Sequence, residues 1–166
     1  MGFEELYRKY YPELYRFAFQ LTLSVEDCED LVQETFTRLF KELKKNTILN
    51  NPRAWLYKVL LNLTRKDYKR KSQMKELINN IEYENLISPD FQDNYIKNEK
   101  QALVFRALRQ INERDRNLLI LYHDGFSYTE IAEILEINPN SIGTILSRAI
   151  QKLKEILQKK HYELFE

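Results

Sequence analysis

The sequence predicts an all-α protein made of two small helical domains joined by a flexible linker. Three observations carry that expectation. Only three glycines and four prolines interrupt 166 residues, so long helices can run unbroken. Apolar residues recur every three or four positions in the first and last thirds of the chain, the spacing that lines one face of a helix. Between them, from Ser72 to about Glu99, the period is lost and the chain gathers Asn and acids around Ser88-Pro89. The resulting boundaries are 1–71, a linker over 72–100, and 101–166.

In the first domain, Leu6, Tyr10, Leu14, Phe17 and Leu21 mark an amphipathic helix, and Pro12 predicts a kink or a helix start within it. Ser24 and Asp27 form a capping pair for a second helix, whose apolar face is Val32, Phe36, Leu39, Phe40 and Leu43. Asp30, Gln33, Glu34, Thr37 and Arg38 are left for its other side. Asn46 to Asn51 is a polar break, and Pro52 suits the first turn of a third helix. That helix reads PRAWLYKVLLNLTRKDYKRK, with Trp55, Tyr57 and Tyr68 interleaved among seven basic residues and one acid. The mixture suits nucleic acid, because cations neutralise phosphates and rings stack on unpaired bases. An amphipathic helix with a solvated basic end is the alternative reading of the same stretch.

The linker carries six acids against three bases. It either imitates nucleic acid in a basic channel or serves as a plain soluble tether. In the last domain, Leu103, Ala107, Leu108 and Ile111 line one helix, and Leu118 to Tyr122 begin the core of another that ends near Gly125. In FSYTEIAEIL, Ser127 and Glu130 make a capping box while Ile131, Ala132 and Leu135 face inward. After the turn EIN, Asn138 caps a further helix with Pro139 first, and Ile142, Leu146, Ala149 and Leu153 share a face. Helix, tight turn and helix, with the small Ala132 where the two touch, is the pattern of a helix-turn-helix. Plain helical bundles contain the same capped pair; the basic Arg148, Lys152 and Lys154 favour DNA.

Composition limits the function classes. Hydrophobic residues at 43% and charged residues at 31% describe a globular chain. The net charge of +1 hides segregation: Ser24 to Glu34 holds five acids and no base, Arg53 to Lys71 seven bases and one acid, Ser141 to Lys160 five bases and one acid. Two kinds of partner follow, one basic and one polyanionic. No apolar run approaches a membrane span and MGFEELYRKYY lacks a signal-peptide core, so no membrane insertion is expected and a cytoplasmic protein is. Cys28 is the sole cysteine and reads as a small buried helix residue in preference to a redox sensor. His123 and His161 have no partner at ligand spacing, so no metal is expected. No nucleophile with a base, paired-carboxylate site or glycine-rich phosphate loop is present, which predicts a protein without catalytic residues or cofactor.

The N-terminal stretches FEELYRKYYPELYRFAFQLT, EDCEDLVQETFTRLF and PRAWLYKVLLNLTRKDYKRK resemble region 2 of bacterial RNA polymerase sigma factors of the extracytoplasmic-function (ECF) group. ALRQINERDRNLLILYHDGFSYTEIAEILEINPNSIGTILSRAIQKLKEIL resembles their region 4. The resemblance implies a transcription initiation factor that binds core RNA polymerase, recognises promoter DNA and melts its −10 element. It places Asp30, Gln33, Glu34 and Arg38 against the clamp helices of the largest polymerase subunit, and region 4 near the flap. It gives the −10 element, with capture of a flipped base in the preceding loop, to Asn50, Trp55, Lys58, Asn62, Arg65, Lys66, Tyr68, Lys69 and Arg70; Trp55 equally suits the core. It gives the −35 element to Ser127, Tyr128, Asn140, Ser141, Thr144, Ser147, Arg148 and Lys152. An anti-sigma factor or other regulatory protein is a further expected partner, and the linker would thread toward the active-site cleft.

One departure stands in region 4. Gly143 and Ile145 occupy positions of the recognition helix that family members commonly fill with exposed Lys or Arg, which predicts weak or lenient −35 recognition and greater reliance on −10. Two other functions compete: a helix-turn-helix regulator that does not bind core polymerase, and an antagonist built on the same scaffold.

Overall fold

A computed structural model of the chain describes residues 2–22, 24–77 and 99–165, and all regular structure among them is helical. Contacts divide the chain into two units, Met1–Ser88 and Pro89–Glu166. The first holds α1 (Phe3–Thr22), α2 (Val25–Lys44) and α3 (Pro52–Leu77). The second holds, among the described residues, α4 (Glu99–Leu108), α5 (Glu113–His123), α6 (Tyr128–Leu135), a 3-10 turn (Pro139–Ser141) and α7 (Ile142–Phe165).

In the first unit each helix packs on the other two. Leu6, Leu14 and Phe17 of α1, Cys28, Val32 and Leu39 of α2, and Leu56, Tyr57 and Leu60 of α3 are buried at the three- to four-residue spacing that turns one face inward. Helix α1 runs through Pro12, which lies exposed, so Pro12 neither starts nor ends it. Ser24 Oγ accepts the Asp27 N–H at 3.2 Å and caps α2. Phe40 departs from the expected apolar face: it is 42% exposed, while Leu31 and Thr35 are buried in that face. A helical face is narrower than the run of apolar letters suggests, and Phe40 lies at its edge.

Two polar ties lock α3 in place. Arg53 donates to both carboxylate oxygens of Glu13 on α1, at 2.8 to 3.2 Å, a bidentate geometry among the stronger ion pairs. Lys71 Nζ lies 2.7 Å from Asp27 on α2 and 3.0 Å from Asp67 on its own helix. Burial works against the Lys71 charge, but the bonds to the two carboxylates prevail and hold its pKa above the ordinary value. Helix α3 also continues beyond Lys71 to Leu77, so the first residues of the expected linker are helical. Residues 78–98 of that linker, and with them Ser88-Pro89, lie outside the described residues.

In the second unit Ala107, Ile111, Leu118, Leu121, Phe126, Ile131, Ile142, Leu146 and Ala149 form the core. Helix α5 is capped by Asn112, whose side chain accepts the Asp115 N–H at 3.0 Å. It ends on Gly125 at φ 83, a left-handed position that favours glycine, with the Phe126 N–H returning to Leu121 O at 3.2 Å. Asn117 is fully buried, and neither atom of its amide has a hydrogen-bond partner among the described residues.

Candidate nucleic-acid interface

The loop between α2 and α3 is braced at both ends. Asn46 takes the left-handed conformation, φ 56, as asparagine tolerates. The Asn46 N–H bonds to Leu43 O at 3.0 Å and the Thr47 N–H to Glu42 O at 3.3 Å, closing α2 with a Schellman motif. The Glu42 carboxylate accepts from Lys45 Nζ at 2.9 Å and Thr47 Oγ1 at 3.2 Å, with the Lys45 bond foremost in holding its pKa below the usual value. On the far side the Asn51 side chain accepts the Ala54 N–H at 3.0 Å and starts α3. Between these anchors Leu49 is half-buried, whereas Ile48 and Asn50 are exposed.

Helix α3 sorts the residues of its basic and aromatic stretch onto two sides. Trp55, Lys58, Asn62, Arg65, Lys66 and Lys69 recur at helical spacing along one face; Asn62, Lys66 and Lys69 are exposed, and Trp55, Lys58 and Arg65 are half-buried. Arg70 adjoins this face, exposed and bonded to Asp67 at 2.8 Å. Tyr68 is 75% exposed but lies off the stripe, on the flank that continues from Leu61. Three members of the stretch serve the fold instead. Tyr57 has 0% exposure, with its ring 4.6 Å from that of Phe17. Arg53 is held by Glu13 and lies over the Tyr57 ring, and Lys71 is held by Asp27 and Asp67. The stacking role open to Tyr57 from sequence is therefore closed. Interleaving along a chain does not distinguish the inward from the outward side of a helix.

The acidic segment is sorted too. Asp27 turns to Lys71, while Asp30, Gln33 and Arg38 are exposed on α2 and Glu34 is half-buried. Glu34 and Arg38 pair along the helix at 2.9 Å. Cys28 is fully buried, its Sγ 3.3 Å from Tyr15 O. Burial, then the nearby Glu29, pushes its thiol up to about 12 against a weaker lowering by the Tyr15 side chain. At neutral pH it is an unreactive thiol.

In the second unit α6 begins with the expected capping box. Ser127 Oγ accepts the Glu130 N–H at 3.3 Å and donates to the Glu130 carboxylate at 2.9 Å, so this exposed hydroxyl serves the cap. Glu136 closes α6 in the left-handed conformation, φ 57. Asn138 Oδ1 accepts the Asn140 N–H at 2.9 Å, with Pro139 next. The tight turn made by these caps joins α6 to α7, with Ala132 nearly fully buried. Along α7, Thr144, Ser147, Arg148 and Lys152 form an exposed stripe; Asn140 is exposed and Ser141 half-buried at its start. Ile145 corrects the sequence reading: it is 7% exposed and packs inward beside Leu146, so it is not an outward position. Only Gly143 leaves a gap in the outer face. A Cβ placed there would meet Tyr128 Cε2 at 3.7 Å, ordinary contact, so the half-exposed Tyr128 ring borders the space that a side chain would fill.

Sequence reasoning passed over Ile48, which is 87% exposed. The signal available was a lone aliphatic inside a polar break. Among the described residues no three or more His, Cys, Asp or Glu side chains are grouped to hold a metal, and no helix is long and apolar enough to cross a membrane.

Comparison with known proteins fits this geometry. The Sigma-70 region 2 family model matches residues 6–74, and the Sigma-70, region 4 model matches residues 101–153. The chain is 31% identical to the RNA polymerase sigma factor YlaC of Bacillus subtilis, covering 96% of this chain and 94% of YlaC. It is 32% identical to the ECF RNA polymerase sigma factor EcfG of Rhodopseudomonas palustris, over 88% of this chain and 80% of that one. Among solved structures it is similar to the sigma factor RpoE of Bartonella quintana in complex with the anti-sigma factor NepR. That match has a TM-score of 0.79 and 26% identity, over 94% of this chain and 96% of RpoE.

Proposed function

The chain belongs to the extracytoplasmic-function group of RNA polymerase sigma factors, and on that premise we propose how its surfaces share the work of starting transcription. It is a transcription initiation factor that binds core RNA polymerase and directs it to promoter DNA. Polymerase carries out the chemistry; this chain contributes binding energy and no catalytic group. The expected site of action is the cytoplasm.

Asp30, Gln33, Glu34 and Arg38 of α2 form the docking face for the basic clamp helices of polymerase. Asn50 and the α3 stripe of Trp55, Lys58, Asn62, Arg65, Lys66, Lys69 and Arg70 take the −10 element, with Tyr68 alongside. The single observation that carries this division is the sorting of charge within one three-helix unit. The acids not needed for packing lie outward on α2, and the bases not needed for packing lie outward on α3. Phosphate contacts hold the exposed strand, and each base stacked on a ring contributes about 1–3 kcal/mol toward opening the duplex.

Tyr128, Asn140, Ser141, Thr144, Ser147, Arg148 and Lys152 face the −35 element. On this stripe only Arg148 offers a guanidinium fork for a guanine edge, and Gly143 offers nothing, so −35 reading is lenient. The linker tethers the two modules. RpoE, the structural relative, is solved with an anti-sigma factor, and we propose a restraining partner of that kind for this chain.

The test is the double variant Asp30→Lys/Glu34→Lys. It is expected to lose co-purification with core polymerase and promoter-specific transcription together. Unchanged core binding would remove α2 as the docking face. In the same assay, scrambling −10 is expected to abolish transcription and scrambling −35 only to reduce it; equal loss would refute lenient −35 reading.

A further inference from the structure

We propose that Ile48 is an apolar wedge that enters the promoter base stack where the duplex opens, a role that rests on the reading of its loop as a −10 contact. A single exposed aliphatic is ordinary on a protein surface; the setting of this one is not. Ile48 is 87% exposed, above Tyr68 and every other large hydrophobic side chain exposed among the described residues. The Schellman motif at Asn46 and the Glu42 bonds to Lys45 and Thr47 hold the backbone before it. The Asn51 cap holds the backbone after it, and Leu49 is half-buried.

Ile48 is therefore held outward on a short, braced tip, with Thr47 and Asn50 as exposed polar neighbours. A β-branched side chain is stiff at χ1, so little rotamer freedom remains to be lost on insertion. Proteins that unstack DNA use aliphatic side chains such as Leu, Ile and Met for this purpose, and a base expelled from the stack needs a filler behind it. Four residues beyond Ile48 begins α3, the helix that carries Lys58, Lys66 and Lys69, whose charges draw the phosphate backbone to α3. Nucleic acid, and not an apolar protein pocket, is the occupant that this combination fits. In this arrangement Ile48 fills the gap while Asn50 is free to hydrogen-bond the displaced base.

The test compares one promoter in two forms, fully duplex and pre-opened across −10, with polymerase reconstituted from core enzyme and the full chain. Opening is read by 2-aminopurine fluorescence and initiation by short transcripts. Ile48→Ser is expected to bind core normally, to open the duplex about tenfold less, and to initiate from the pre-opened form within about twofold of the unsubstituted chain. Ile48→Met is expected to restore opening. Equal defects on both templates, lost core binding, or undiminished duplex opening would each overturn the wedge. If the unsubstituted chain initiated on neither template, the initiation-factor reading would fail, and the wedge with it.

Discussion

Tyr57 and Tyr68 stand eleven positions apart in one basic helix, and the fold gives them opposite work. Tyr57 is fully buried against Phe17, whereas Tyr68 is 75% exposed. Truncating Tyr57 to Ala is expected to cost about 3–5 kcal/mol in a urea titration, as for other large aromatic core deletions. Tyr68→Ala is expected to leave stability within about 0.5 kcal/mol while lowering −10-dependent transcription. Cys28 makes a similar point about chemistry. Its thiol, raised from 9.0 to about 12, keeps its proton in the native state over a range where the unfolded chain has lost it. Stability contributed by this group is therefore present below about pH 9 and falls as pH rises toward 12. Comparing stability against pH for the unsubstituted chain and Cys28→Ala checks this: the variant should decline less steeply above pH 9. In the native protein at neutral pH, Cys28 is expected to resist alkylation by iodoacetamide.

Helices and their ends were legible from sequence because caps are local. Ser24, Ser127 and Asn138 each accept the backbone N–H that their position demands, and apolar spacing located the helices, while the Asn112 cap of α5 emerged only from the structure. What sequence could not supply was the width and direction of each buried face. Phe40 and Ile145 exchange places with the expectation, one outward and one inward. Arg53 and Lys71 belong to the basic stretch that suits nucleic acid, yet they serve the fold, because their carboxylate partners Glu13 and Asp27 belong to other helices and only packing brings them together. Pro12 did not interrupt α1, since tertiary packing outweighs one missing hydrogen bond. Two glycines respond to substitution in opposite directions. Gly143 lies in helical backbone with room for a Cβ 3.7 Å from Tyr128, so Gly143→Ala is expected to stabilise the protein by about 0.5–1 kcal/mol. Gly125 holds φ 83, so Gly125→Ala is expected to destabilise it by about 1 kcal/mol or more despite open space around it. Thermal unfolding of the two variants gives both signs.

Across the whole molecule a net charge of +1 conceals three charged surfaces of different sign and purpose. The acidic face of α2 suits a basic protein, and the stripes on α3 and α7 suit DNA. An initiation factor is expected to bind duplex poorly until it is assembled with core polymerase, which separates it from a helix-turn-helix regulator that binds duplex alone. The most direct measurement is selection from a random promoter library with core polymerase, with and without the chain. The chain and core together are expected to enrich templates sharing a strong −10 element and a lenient −35 element, and to start transcripts at a fixed distance from them. Enrichment of duplex by the chain without core, with no promoter-specific transcript when core is added, would contradict it.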